Sequence, residues 1–282
     1  MSTTTAAGAT RSEFVTGAGD ALVTITRPET GVALVTMSKP SQRNALSLAM
    51  IGELHRAFET LSADANVSAI ILAADGPAFC AGHDLKELTA RRSDADNGRA
   101  FFKETMDACA ALMLSIVRSP KPVIAAVHAT ATAAGCQLVA TCDLAVAADT
   151  AKFCTPGVNI GLFCSTPMVA LSRNVPRKRA MEMLLLGDLI GAAQAAEYGL
   201  VNRVVPHDAV MSSALELARR IAVKSPATVA IGKAAFYAQI EQPLADAYTY
   251  AAGVMVENML FRDAEEGIGA FIEKRKPEWK GC

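Results

Sequence analysis

The 282-residue chain has almost no net charge, with 27 Lys and Arg against 28 Asp and Glu. A formal charge of −1 gives no long-range attraction to nucleic acid or to an anionic membrane. No basic block interleaved with aromatics occurs, so nucleic-acid binding has no support. No apolar run reaches the ~18 residues of a membrane-spanning helix, and no membrane association is expected. The seven cysteines (Cys80, Cys109, Cys136, Cys142, Cys154, Cys164 and Cys282) form no CxxC pair. An odd number in apolar or small-residue surroundings reads as buried thiols in a reduced compartment, not as a disulfide framework or a metal site. The start, MSTTTAAGATRSEF, contains no apolar h-region and reads as a disordered tail over residues 1–18. From these features the protein is expected in the cytoplasm, ahead of the mitochondrial matrix.

Apolar residues make up 51% of the chain, enough for a large packed core. ALVTITRPETGVALVTMS predicts two strands joined by a turn at Pro28 to Gly31. Met50, Ile51, Leu54, Phe58 and Leu61 form a helical stripe, with Ser47 placed to cap it. VSAIILAAD, KPVIAAVHA and CDLAVAAD read as buried strands separated by helical segments. Such alternation predicts an α/β fold with a mostly parallel sheet. No internal repeat is evident. Beyond Pro206 the pattern becomes helical, which divides the chain into a core over 19–206 and a helical region over 207–282.

Two segments carry the same signature. FCAGHDLKEL and TATAAGCQL each follow a predicted strand, and each has small residues just before a helix. Glycine permits close approach and unusual dihedrals, and the first N–H groups of a helix lack internal partners. Two such donors converging on one oxygen would stabilise a developing enolate. Small residues at these junctions also serve simple close packing of helix on sheet, and spacing alone leaves both readings open.

The order and spacing of PSQRNALS, AFCAGHDLKEL, KPVIAAV, AAGCQLVATCDLAVA, FCTPGVNIGL, AMEMLLLGDLIGAAQAAEYGLVNRVVP and EEGIGAFIEKRKPEW resemble the crotonase superfamily, the enoyl-CoA hydratase/isomerase family. The resemblance runs from about Leu22 to the C-terminus. It implies a core of stacked ββα turns in a spiral and a C-terminal helical trimerisation region, with trimers that pair into hexamers in part of the family. It implies a coenzyme A thioester, an acyl-CoA or enoyl-CoA, as substrate or ligand, with no permanently bound cofactor. The thioester carbonyl would sit between the backbone N–H groups of His83 and Ala134, the latter standing where glycine is usual. Arg43, Ala45, Leu46, Ala81, Asp84, Leu85 and Lys86 match segments lining the coenzyme path. Phe271 and Lys274 match residues that reach the coenzyme from a neighbouring subunit. A solvated surface charge is the competing reading for Lys86 and Lys274.

The resemblance also exposes a gap. Hydratases of this family use two glutamates for general acid–base transfer, and the matching positions here are Gln137 and Gly157. Each such group contributes roughly 10²- to 10⁴-fold, so ordinary hydration should be nearly abolished. Cys164 and Ser165 match positions that carry reactive side chains in other branches. The thiol could act if its pKa were lowered, and a small buried residue is the competing reading. Asp107 reads as a solvated acid and His128 as a ring bonded to the main chain. Three functions follow: a hydratase/isomerase-like enzyme with altered acid–base groups, a decarboxylase or thioester hydrolase of the same superfamily, and a non-catalytic acyl-CoA-binding protein. The AGHD stretch also occurs in a decarboxylase of the superfamily.

Overall fold

The structure, a computed structural model, describes residues 21–282; the tail expected over 1–18 lies outside the described residues. Strands β1 (Val23–Glu29) and β2 (Gly31–Met37) form the expected antiparallel hairpin. Gly31 at φ 77° makes its turn, a conformation open to glycine at no steric cost. Helix α1 (Leu48–Ala63) follows, with the Ser47 hydroxyl accepting from the Met50 N–H and the predicted stripe buried. Capping of this kind stabilises a helix by about 1 kcal/mol.

Three strand–strand–helix turns then succeed one another. The first is β3 (Val67–Ala74), β4 (Ala78–Cys80), α2 (Leu85–Ala90) and the long α3 (Arg99–Arg118). The second is β5 (Val123–Val127), β6 (Thr130–Thr132) and α4 (Ala134–Thr141). The third is β7 (Leu144–Ala148), β8 (Lys152–Cys154), α5 (Pro167–Asn174) and α6 (Arg177–Leu186). In each turn the longer strand joins one sheet and the shorter joins another. The six-stranded sheet runs β1-β2-β3-β5-β7-β10, and the four-stranded sheet runs β4-β6-β8-β9. The chain closes them through β9 (Ile190–Gly191), α7 (Ala192–Glu197) and β10 (Arg203–Val205). A repeating unit is therefore present in space although no sequence repeat announces it. The unit needs only a buried strand, a short strand and a helix, and many sequences satisfy that.

The inner strands β3, β5 and β7 pair in parallel and are buried along most of their length. This explains their unbroken Val/Ile/Leu/Ala character. Helix α8 (Val210–Ala222) packs across β2, β3, β5 and β7, burying Val210, Ala214 and Ala218. The structure thus places α8 with the core, although it lies beyond the expected boundary at 206. Helices α9 (Pro226–Gln239), α10 (Leu244–Met259) and α11 (Arg262–Glu273) form an outer layer with few buried side chains.

Candidate functional site

The spiral explains why distant segments meet. β4, β6 and β8 lie side by side in the small sheet and run parallel. The residues that leave their C-terminal ends must therefore stack beside one another. These are 81–84, 133–137 and 155–157.

The first two segments are pressed together at backbone distance. A Cβ on Gly82 would stand 2.9 Å from the Ala133 Cβ and 3.4 Å from the Ala134 nitrogen. A Cβ on Gly135 would fall 2.3 Å from the Cys80 carbonyl oxygen. The close packing that the small residues allow is present at both junctions. The Thr132 hydroxyl donates to the Ala81 carbonyl and the Ala133 N–H to the Cys154 carbonyl. All three turns are thereby tied at this level.

Among the described residues, the donors at this junction without an acceptor include the N–H groups of His83 and Ala134. Leu46 and His83 form a parallel bridge: the Leu46 N–H bonds to the Gly82 carbonyl, and the Asp84 N–H to the Leu46 carbonyl. In that pattern the His83 N–H points away from Leu46, and it donates to no acceptor among the described residues. Ala134 is the first residue of α4, so its N–H has no intrahelical acceptor. Ala134 takes no left-handed dihedral and is fully buried. The strain sits one residue earlier, where Ala133 holds φ 49° and ψ −118°. That region favours glycine, and occupying it costs alanine on the order of 1–3 kcal/mol.

Gln137 lies one helical turn after Ala134, on the same face of α4, and helical side chains lean toward the N-terminus. Gln137 is 5% exposed, and its Oε1 is buried with no hydrogen-bond partner among the described residues. The His83 ring is in the same condition, with Nδ1 and Nε2 both buried and unpartnered. Burial lowers its pKa, opposed in part by the nearby Leu46 main chain.

Gly157 is buried, and a Cβ there would meet the Leu162 carbonyl oxygen at 2.9 Å and the Cys164 Sγ at 3.0 Å. The space beside residue 157 is thus occupied by neighbours, and a larger side chain there requires movement of the 157–164 loop. The thiol is not activated: burial raises the Cys164 pKa, partly offset by the Gly157 main chain. The condition set for an active thiol, a lowered pKa, is not met, and Cys164 fits the reading of a small buried residue. Ser165 is exposed and its hydroxyl donates only locally, to the Phe163 carbonyl at 3.4 Å. Asp107 is exposed and paired with Lys103 on α3, and His128 Nε2 bonds to the Gly76 carbonyl at 2.8 Å.

The expected coenzyme-path residues converge. The Ala81 N–H bonds to the Arg43 carbonyl, so 43–46 runs alongside 81–84. Asp84 caps α2 by accepting from the N–H groups of Lys86 and Glu87, while Leu85 and Lys86 are exposed at its start. Phe271 is 84% exposed on α11, and Lys274 ends that helix at φ 56°; neither belongs to the segments that meet in the single chain.

Two features escaped the sequence reading. Asn44, fully buried at φ 52°, accepts from the Lys39 N–H and donates to the Asp75 and Ala78 carbonyls. An Asn beside a Pro-containing turn was the available signal, since Asn tolerates positive φ. Lys233 of α9 donates to Asp143 at 2.7 Å and to the carbonyls of Ile116 and Lys121, and the Tyr237 hydroxyl donates to Asp143. Nothing in a lone lysine on a helix points to that network.

The comparisons agree with this architecture. The family described as Enoyl-CoA hydratase/isomerase matches residues 27–282. Enoyl-CoA hydratase domain-containing protein 3, mitochondrial, of Rattus norvegicus is 47% identical over 257 residues, covering 91% of this chain and 84% of the relative. The Homo sapiens protein of that name is 48% identical over 250 residues, covering 88% and 80%. The crystal structure of the human protein superposes with a TM-score of 0.87 at 46% identity, covering 92% of this chain and 100% of that one. These relatives are named mitochondrial, which overturns the expectation of a cytoplasmic protein. With the match spanning nearly the whole length and the spiral turns in place, the chain belongs to the enoyl-CoA hydratase/isomerase family of the crotonase superfamily.

Proposed function

We propose that this protein binds an acyl-CoA thioester with its carbonyl oxygen between the N–H groups of His83 and Ala134, and that it acts on the thioester by stabilising an enolate without the usual carboxylate pair. The observation that carries the reading is the back-to-back packing of 82–83 against 133–134 with both donors unspent. Backbone donors fixed at a developing oxyanion contribute on the order of 10²- to 10³-fold each. They need no reorganisation, because the spiral holds them in place before any ligand arrives. Gln137 and Gly157 cannot exchange protons near neutral pH. Loss of two acid–base groups lowers hydration by roughly 10⁴-fold or more. Arg43, Ala45, Leu46 and the 81–86 segment line the route for the coenzyme, and Phe271 and Lys274 complete it from a second copy in a homotrimer.

A second reading, binding without turnover, is favoured by the occupied space at Gly157. One experiment separates the two. Purified protein is given crotonyl-CoA, malonyl-CoA and butyryl-CoA, with turnover and calorimetric binding both recorded. The proposal expects binding of all three, slow hydration of crotonyl-CoA, and turnover where an enolate forms without a base, as in decarboxylation. Binding with no turnover of any thioester selects the second reading. Hydration at ordinary enzyme rates, or absence of binding, contradicts both.

A further inference from the structure

The two donor-bearing segments are anchored by their main chains to different neighbours. Pairing of β4 with β6 ends at Cys80 and Ala131. Beyond it the Ala81 N–H bonds to the Arg43 carbonyl, and the Gly82 carbonyl accepts from the Leu46 N–H. On the other side the Ala133 N–H bonds to the Cys154 carbonyl. None of these bonds joins 81–83 to 132–134. Gly82 packs against Ala133, but contact of that kind limits approach and resists sliding only weakly. The hydrogen bond that does join the two segments is made by a side chain: the Thr132 hydroxyl donates to the Ala81 carbonyl at 3.0 Å. From Ala131 to Gly135 no other side chain can hydrogen-bond. Thr132 stands two residues before Ala134, and Ala81 two before His83, so the bond spans the base of the donor pair.

We infer that Thr132 is a positioning residue, whose hydroxyl sets the spacing of the His83 and Ala134 N–H groups so that both reach one thioester oxygen. Two donors share an oxygen only when each stands roughly 2.7–3.1 Å from it. A change of about half an ångström in their separation weakens one of the two bonds. Thr132 acts through the main chain it holds and transfers no proton. Its bond lies between a half-buried threonine and an exposed alanine, so water can replace the hydroxyl at the Ala81 carbonyl. The fold therefore survives loss of the bond, while the donor spacing does not. The inference rests on the proposed acyl-CoA reading and goes beyond it by assigning the donor geometry to a side chain outside the donor pair.

The test is difference infrared spectroscopy of butyryl-CoA, labelled with ¹³C at the thioester carbonyl and bound to wild type, Thr132→Val, Thr132→Ala and Thr132→Ser. Valine keeps the branched shape without the donor, alanine removes both, and serine keeps the hydroxyl. The expected result is a carbonyl stretch shifted to lower frequency in wild type and in Thr132→Ser. In Thr132→Val and Thr132→Ala that shift falls to about half or less, as for one donor in place of two. Melting temperatures of all four proteins stay close together. A merely structural bond would lower the melting temperature and leave the stretch of the bound ligand where it is. A full shift in both hydroxyl-less variants overturns the inference and leaves the acyl-CoA reading intact. A shift lost equally in Thr132→Ser overturns the assignment to the hydroxyl. Failure of both hydroxyl-less variants to fold also overturns it, because Thr132 would then hold the fold itself. Absence of binding or of any shift in wild type overturns the acyl-CoA reading.

Discussion

Ala133 shows how a single backbone conformation is put to use. At φ 49° and ψ −118° its methyl group is opposed, and the strain of about 1–3 kcal/mol is held by the Ala133 N–H bond to Cys154 and by Gly82 packed against it. Replacing it with glycine relieves that strain but adds freedom to the unfolded chain, worth about 0.4–1 kcal/mol. Strain relief is the larger effect, so Ala133→Gly should raise unfolding stability by about 1 kcal/mol in urea titrations. His83 gives a pH prediction. Burial holds its imidazole below the reference pKa of 6.5, so the unfolded chain binds more protons than the native one as pH falls. Stability rises with pH wherever that holds. It is therefore fully present above about pH 6.5 and is lost on acidification through that value toward the folded pKa. His83→Ala keeps the backbone donor and should flatten the acid limb of a melting-temperature profile between pH 7 and pH 5. An unchanged slope would mean the ring does not titrate in this way.

Among the elements, α4 joins the site to the rest of the protein. Its N-terminus supplies a donor, its middle supplies Gln137, and its C-terminal end leads into Asp143, which is held by Lys233 and Tyr237 of α9. The Lys233 and Asp143 side chains are only 7% and 16% exposed. Removing one partner from such a pair leaves a buried charge, and Lys233→Met should cost about 3 kcal/mol in denaturant unfolding. The Lys103–Asp107 pair on exposed α3 offers the contrast: Lys103→Met should change stability by less than about 1 kcal/mol. Much of this layer was legible in the sequence, because hydrophobic periodicity and Ser47 report on local structure. The hairpin, α1, the buried strands and both small-residue junctions fall where patterning puts them. What pattern could not carry is which strand joins which sheet, since β4, β6 and β8 are each only three residues long. The candidate site arises from their stacking, so its membership follows from the family resemblance, and the filled space at Gly157 from the three-dimensional packing alone. The Asp143 network joins residues 90 positions apart, beyond any local pattern.

Taken as one body, the protein has two different surfaces. The spiral closes on a continuous buried core. The outer layer leaves large apolar groups in the open: Tyr248, Met255 and Met259 on α10 and Phe271 and Ile272 on α11 are all more than half exposed. Apolar exposure of this kind marks an association surface, consistent with the proposed homotrimer. Sedimentation should show an oligomer for wild type and monomer for Met255→Glu/Met259→Glu; an oligomer that survives both changes places the interface elsewhere. The central claim is that two fixed N–H groups polarise a thioester carbonyl with no carboxylate at the positions of residues 137 and 157. The most direct measurement is difference infrared spectroscopy of bound butyryl-CoA labelled with ¹³C at the thioester carbonyl. The account predicts a carbonyl stretch shifted to lower frequency than in solution, with no pH dependence attributable to a nearby carboxylate. A stretch unchanged from solution would contradict it.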